Sequence, residues 1–165
     1  MRSDIPALLP TLLLTLLTLL TLLPPALTLG INCRGDNQCS TGKNPGLDKH
    51  NDLMDEFYQA LANGASWQVV GGPIDRTAIW QYGQDVACYT PAGVCVWTEG
   101  HVTRGMNGIN GSVLVDRVGD LNYHGCWYCG SVPLSGDNKP DEMGILVVDY
   151  IGPKVPCSGV CPHTG

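Results

Sequence analysis

The sequence predicts an α+β fold, an α/β sandwich in which an antiparallel sheet carries two helices on one face and disulfides staple the layers. Three observations predict it. Two segments repeat apolar residues at helical spacing. Several short runs rich in Val, Ile, Thr and aromatic residues are parted by turns bearing Gly or Pro. Eight cysteines stand in 165 residues. Charged side chains make up only 15% of the chain, too few for coiled coils or long salt-bridged helices. The net charge of -6 excludes nucleic acid as the main partner, since phosphate binding gathers Lys and Arg.

Residues 1–28 read as a secretion signal. No charge appears over 5–23, Leu recurs in runs broken by Thr, and Pro24-Pro25 ends the segment. Ala26-Leu27-Thr28 then offers small residues at the two positions a signal peptidase reads, with cleavage before Leu29. An uncleaved anchor is the competing reading, because 5–23 approaches the length that crosses a bilayer. The two prolines and the cleavage site oppose it. No second apolar run of that length follows, so stable membrane insertion is not expected. The expected product is a secreted monomer with one domain, 29–165. An even cysteine count in a short secreted chain reads as four disulfides. Each adds about 2–4 kcal/mol, largely by restricting the unfolded chain. That suits an aromatic content of one Phe, 4 Trp and 6 Tyr, which makes only a modest core.

Segment 29–43 is rich in Gly, Asn and Cys without periodicity, so it reads as a loop pinned by Cys33 and Cys39. A helix is predicted over 47–63. Leu53, Phe57 and Leu61 recur at i, i+4 and i+8 beside Met54 and Tyr58, while Asp48, Asp52, Asp55 and Glu56 supply the polar face. Asn63-Gly64 stops it. Strands are predicted over 65–70, 77–82, 85–89 and 94–98. Pro91-Ala92-Gly93 joins the last two as a hairpin. A second helix is predicted over 112–124, with Val113, Leu114, Val118 and Leu121 as its stripe and Gly125 as its cap. Segment 143–151 is dense in Ile, Leu and Val and reads as a central strand. Segment 157–165 is a tail bearing Cys and Pro.

Few residues suggest chemistry. Cys126-Trp127-Tyr128-Cys129 has the spacing of a redox motif or of half a zinc site, but it follows a helix, so the dipole works against a lowered thiol pKa. Arg34-Gly35-Asp36 is an adhesion tripeptide that reads as a turn. His50, His101, His124 and His163 have no nucleophile or carboxylate at catalytic spacing. His124 instead suits a helix C-terminus. Asn110-Gly111-Ser112 is a glycosylation sequon, Asn110 being the acceptor, and Ser112 is also placed to cap the second helix. No catalytic residue, metal ligand or cofactor is expected.

The cysteines and the residues between them resemble one family. Leu29-Gly30-Ile31-Asn32-Cys33-Arg34-Gly35, with Cys39 following, is similar to the opening of the KP-four-type killer toxins, small secreted cysteine-rich fungal toxins. His124-Gly125-Cys126, then Cys129-Gly130-Ser131-Val132-Pro133-Leu134, resembles the family's second hallmark. Gly144-Ile145-Leu146-Val147-Val148-Asp149-Tyr150 is similar to its last strand. Gly93-Val94-Cys95 resembles the middle-strand cysteine of its cellular members. The resemblance implies an antiparallel sheet with two helices, no enzymatic activity, and a toxin that stops competing fungi by blocking calcium uptake. The partner it implies is a target-cell surface protein, a calcium channel. The prototype relies on a Lys two residues before its middle cysteine. In Asp85-Val86-Ala87-Cys88 that place is held by Val86. The candidates for any cationic contact are Arg76, Arg104, Lys139 and Lys154. A secreted effector or interaction protein on the same scaffold is the alternative reading, in keeping with the acidic charge.

Two close cysteine pairs of similar span favour the bridges Cys33–Cys126 and Cys39–Cys129, and the family's pattern agrees. For the rest, Cys88–Cys157 and Cys95–Cys161 are expected, because they tie the tail to the sheet. The resemblance supports a tail cysteine on Cys88. A direct Cys88–Cys95 bridge, leaving Cys157 and Cys161 to each other, is the alternative.

Overall fold

A computed structural model describes residues 30–40, 43–47, 52–64, 66, 69–100 and 108–163. The expected signal, 1–28, lies outside the described residues, as do His50, His101, Arg104 and residues 65, 67 and 68 of the strand expected over 65–70, whose described residues 66, 69 and 70 belong to no strand.

In chain order, helix α1 spans Leu53–Asn63, and strands β1 to β4 span Ile79–Trp80, Asp85–Tyr89, Val94–Glu99 and Ile109–Asn110. Helix α2 spans Gly111–His124, β5 Gly130–Pro133, α3 Pro140–Met143, β6 Ile145–Tyr150 and β7 Gly159–Val160.

The apolar repeat of α1 puts Leu53, Met54, Phe57, Ala60 and Leu61 on one buried stripe. Asp52 caps it, its carboxylate accepting the Asp55 N–H at 3.1 Å. That cap starts the helix at Leu53, later than the expected 47. Leu47 is buried all the same, in a turn where its N–H donates to the Asn44 carbonyl. Gly64 ends α1 in the left-handed region at φ 67°.

Helix α2 buries Leu114, Val115, Val118 and Leu121. Its cap is Asn110, two residues before the expected Ser112. The Asn110 Oδ1 accepts both the Ser112 N–H at 2.9 Å and the Ser112 hydroxyl at 2.7 Å. Gly125 closes the helix at φ 87°.

Five strands form an antiparallel sheet in the order β5-β6-β3-β2-β7, while β1 and β4 pair separately. The predicted hairpin is β2-β3, with Cys88 facing Cys95 and Tyr89 facing Val94. The register shifts between Asp85 and Ala87. That bulge turns two successive residues, Val86 and Ala87, into the core.

Val94, Val96, Val132, Leu146 and Val148 join the stripes of both helices in one buried cluster. Both helices therefore lie on one face of the sheet. The opposite face carries a small second cluster of Cys88, Cys95 and Cys161, against which Trp97, Val155 and Cys157 pack. The tail reaches it through β7, whose Val160 and Gly159 pair with Ala87 and Cys88. Near β5, Asn32 bridges Ser131, and Gly35 lies so close to Asp149 and Cys129 that a Cβ there would meet them at 2.6 and 2.8 Å.

Candidate functional site

The N-terminal loop is a surface segment held by two disulfides. Cys33 bonds Cys126 and Cys39 bonds Cys129, bridging sequence separations of 93 and 90 residues. Between these anchors the Asp36 carboxylate accepts the Gln38 N–H at 2.8 Å, and the Asp36 N–H donates to Asp149 Oδ1 at 2.8 Å. Arg34-Gly35-Asp36 is thus a turn leading into a single 3-10 turn, Asn37–Cys39. Cys126 and Cys129 are each bonded to the loop and not to one another, so the CxxC spacing carries no redox pair.

The other four cysteines correct the expectation. The structure pairs Cys88 with Cys95 and Cys157 with Cys161, in place of Cys88–Cys157 and Cys95–Cys161. The hairpin register is the reason: it sets Cys88 directly opposite Cys95, with Cα atoms 4.1 Å apart. The tail cysteines do reach the sheet, since the sulfurs of Cys88, Cys157 and Cys161 lie within 4.8 Å of one another. Strand pairing and packing hold the tail there, and the Cys161 N–H donates to the Val86 carbonyl at 2.9 Å. An open cleft of about 220 Å³ borders this cluster, lined by Gln84, Asp85, Pro156, Cys157, Cys161 and Pro162. Burial raises the pKa of Asp85.

Val86, at the place of the prototype's Lys, is fully buried. A cation on this side chain would enter the core and not a partner. Of the four candidate cations, Arg76 and Lys154 are exposed and in no ion pair among the described residues. Lys139 is held by Asp137 at 3.0 Å and Glu142 at 3.2 Å. These partners, the Asp137 hydrogen bond first, raise its pKa. The structure does not gather the described candidates: Arg76 lies in the turn before β1, Lys139 before α3 and Lys154 after β6.

His163 sits 2.9 Å from the Ile79 carbonyl through Nε2 and meets the Trp80 ring edge-on at 5.1 Å. His124 is exposed in the last turn of α2. Asn110 is half-buried, with its Oδ1 engaged in the cap. Sequence reasoning passed over two exposed rings near His124: Tyr123, 97% exposed, and Trp127, 61% exposed. Their signal was an aromatic residue breaking the stripe of α2 and another inside the CxxC pair.

A family model described as Kp4 matches residues 16–152. The chain belongs to the Kp4 family. Among curated proteins it is similar to the KP4 killer toxin of Ustilago maydis P4 virus, 32% identical over 132 residues that make up 79% of this chain and 86% of that protein. The Kp4 match begins inside the expected signal and ends before Cys157, so the tail disulfide lies past it. Membership makes this chain killer-toxin-like.

Proposed function

We propose that this Kp4-family chain is a secreted, non-enzymatic toxin that inhibits the growth of sensitive fungal cells from outside, through a surface protein that takes up calcium. The observation that carries the reading is the likeness to a killer toxin over 86% of that protein's length. Four disulfides on a 165-residue chain and the signal-like 1–28 support action outside the cell. Secreted protein added to sensitive fungi is expected to slow growth, and extra calcium to relieve it. Unchanged growth overturns the toxin reading. Inhibition that calcium leaves intact overturns the calcium step.

A second reading has its own support. The buried Val86 and the charge of -6 remove the cation and the attraction that plugging a cation-selective pore calls for. On this reading the chain is an effector that binds a surface protein without blocking a channel. Binding to cells without calcium-sensitive inhibition marks it.

A further inference from the structure

Two exposed aromatic side chains flank one turn of the chain. Tyr123 occupies the last turn of α2 and Trp127 follows Cys126. Between them Gly125 reverses the backbone in the left-handed region, and Cys126 is fastened to Cys33. The backbone bearing both rings is thereby fixed. It lies against the first turn of α1. Asn122, beside Tyr123, donates from Nδ2 to Asp55 Oδ1 at 2.9 Å. The Trp127 carbonyl accepts the Met54 N–H at 2.9 Å. That turn and its cap carry the half-buried carboxylates of Asp55 and Asp52, and the same Asp55 oxygen also accepts the Gln59 Nε2 at 3.2 Å.

Exposed Tyr and Trp are the residue types that concentrate interface energy. Borne on backbone that contacts the turn with these carboxylates, they suit one chemistry above others. A guanidinium or ammonium gains a ring face and a charge-assisted hydrogen bond in the same place. The chain's charge of -6 adds attraction at longer range. The same charges repel polyanions and anionic lipid. Asp52 fits this picture. Burial first, then the charges of Asp55 and Glu56, raise its pKa against two backbone hydrogen bonds that lower it. A bound cation opposes that rise.

We propose that Tyr123 and Trp127, with Asp52 and Asp55, form a docking face for a Lys- or Arg-rich segment of a protein on the target cell. The proposal rests on the toxin reading and adds to it the chemistry of the partner.

Fluorescence anisotropy of a labelled octa-arginine peptide tests the face without calling on toxicity. The intact disulfide-bonded chain is expected to bind, more weakly as salt rises. The double variant Tyr123→Ala and Trp127→Ala keeps the net charge, and both rings are largely in solvent, so its thermal midpoint should hold. It is expected to bind about tenfold more weakly, the loss of two cation–π contacts. Asp52→Asn with Asp55→Asn is also expected to bind more weakly, and Asn serves as well as Asp at the cap of α1. Asp137→Asn with Asp141→Asn makes the same change of charge away from the rings and should alter binding little. Four outcomes overturn the proposal: no binding by the wild type, wild-type binding by the double alanine variant, wild-type binding by the Asp52 and Asp55 pair, or an equal loss in the Asp137 and Asp141 pair. Peptide binding lost in the double alanine variant, in a protein that leaves fungal growth unchanged, supports the docking face and removes the toxin reading alone.

Discussion

Asp85 shows how much one half-buried charge can reveal. Its carboxylate lies within 4.8 Å of the Cys88 and Cys95 sulfurs, and burial raises its pKa. Below the ordinary carboxylate range Asp85 is protonated in folded and unfolded chains alike, and its burial carries no charge penalty; within that range the unfolded chain already begins to ionise while the folded chain holds its proton. As pH rises through the raised folded value, the folded chain must bury a charge that the unfolded chain leaves in water, so stability from this residue falls. Asp85→Asn is therefore expected to raise the thermal midpoint at about pH 7 and to leave it nearly unchanged at about pH 3. Equal shifts at both values would tie the effect to packing and not to charge. The neighbouring Val86 marks where sequence reading stops at this scale. Its place before Cys88 is legible, but the side it faces depends on a bulge that alternation cannot reveal. The exposed Tyr123 and Trp127 were illegible for a related reason: aromatic residues are read as core until burial says otherwise.

Helix α2 depends on its two ends. Asn110 satisfies the first turn through one side-chain oxygen. Asn110→Ala is expected to cost about 1 kcal/mol in urea unfolding, while Asn110→Asp keeps the cap and removes the sequon with little change. A glycan at this site, which the sequon proposes, shows as a loss of mass in secreted Asn110→Asp. Two glycines at the ends of the same helix separate strain from collision. A Cβ on Gly125 meets nothing within 4 Å, so Gly125→Ala is expected to cost about 1 kcal/mol from the left-handed backbone alone. A Cβ on Gly111 would stand 2.3 Å from the Asp75 carbonyl oxygen, so Gly111→Ala must displace the turn before β1 and cost more. If the two variants unfold at the same urea concentration, that contact yields without penalty. Both long helices were legible because a 3.6-residue period recurs over two or more turns. Strand β1 lies inside the run expected over 77–82, but the two-residue strands β4 and β7 show no period of their own, and β5 is held by its neighbour β6. The cap was misplaced by two residues because Asn and Ser are both good caps, and only side-chain geometry separates them.

At the scale of the molecule, four disulfides divide into two kinds. Cys33–Cys126 and Cys39–Cys129 join segments far apart in sequence, and the matching spans of the two cysteine pairs made that partnering visible. Cys88–Cys95 follows from the hairpin register, which the two cysteines flanking the predicted turn leave open as an alternative; the expected pairing uses the tail cysteines because they would tie the tail to the sheet. The two kinds should stabilise unequally. Restricting the unfolded chain stabilises in proportion to the logarithm of loop length, so a bridge across 93 residues contributes about 4.6 kcal/mol and one across 7 about 2.4 kcal/mol. Each long bridge leaves the other closing nearly the same loop, so both must go: replacing Cys33, Cys126, Cys39 and Cys129 with Ala is expected to lower stability in urea by at least about 2 kcal/mol more than replacing Cys88 and Cys95 with Ala. Cys126, Cys88 and Cys95 are all buried, so loss of packing enters both variants. If the hairpin pair proves equal or worse to lose, chain restriction is not the main contribution of the bridges. The sulfur cluster packed with Cys161 beside Trp97 would then be a second core, holding a tail that no disulfide ties to the sheet.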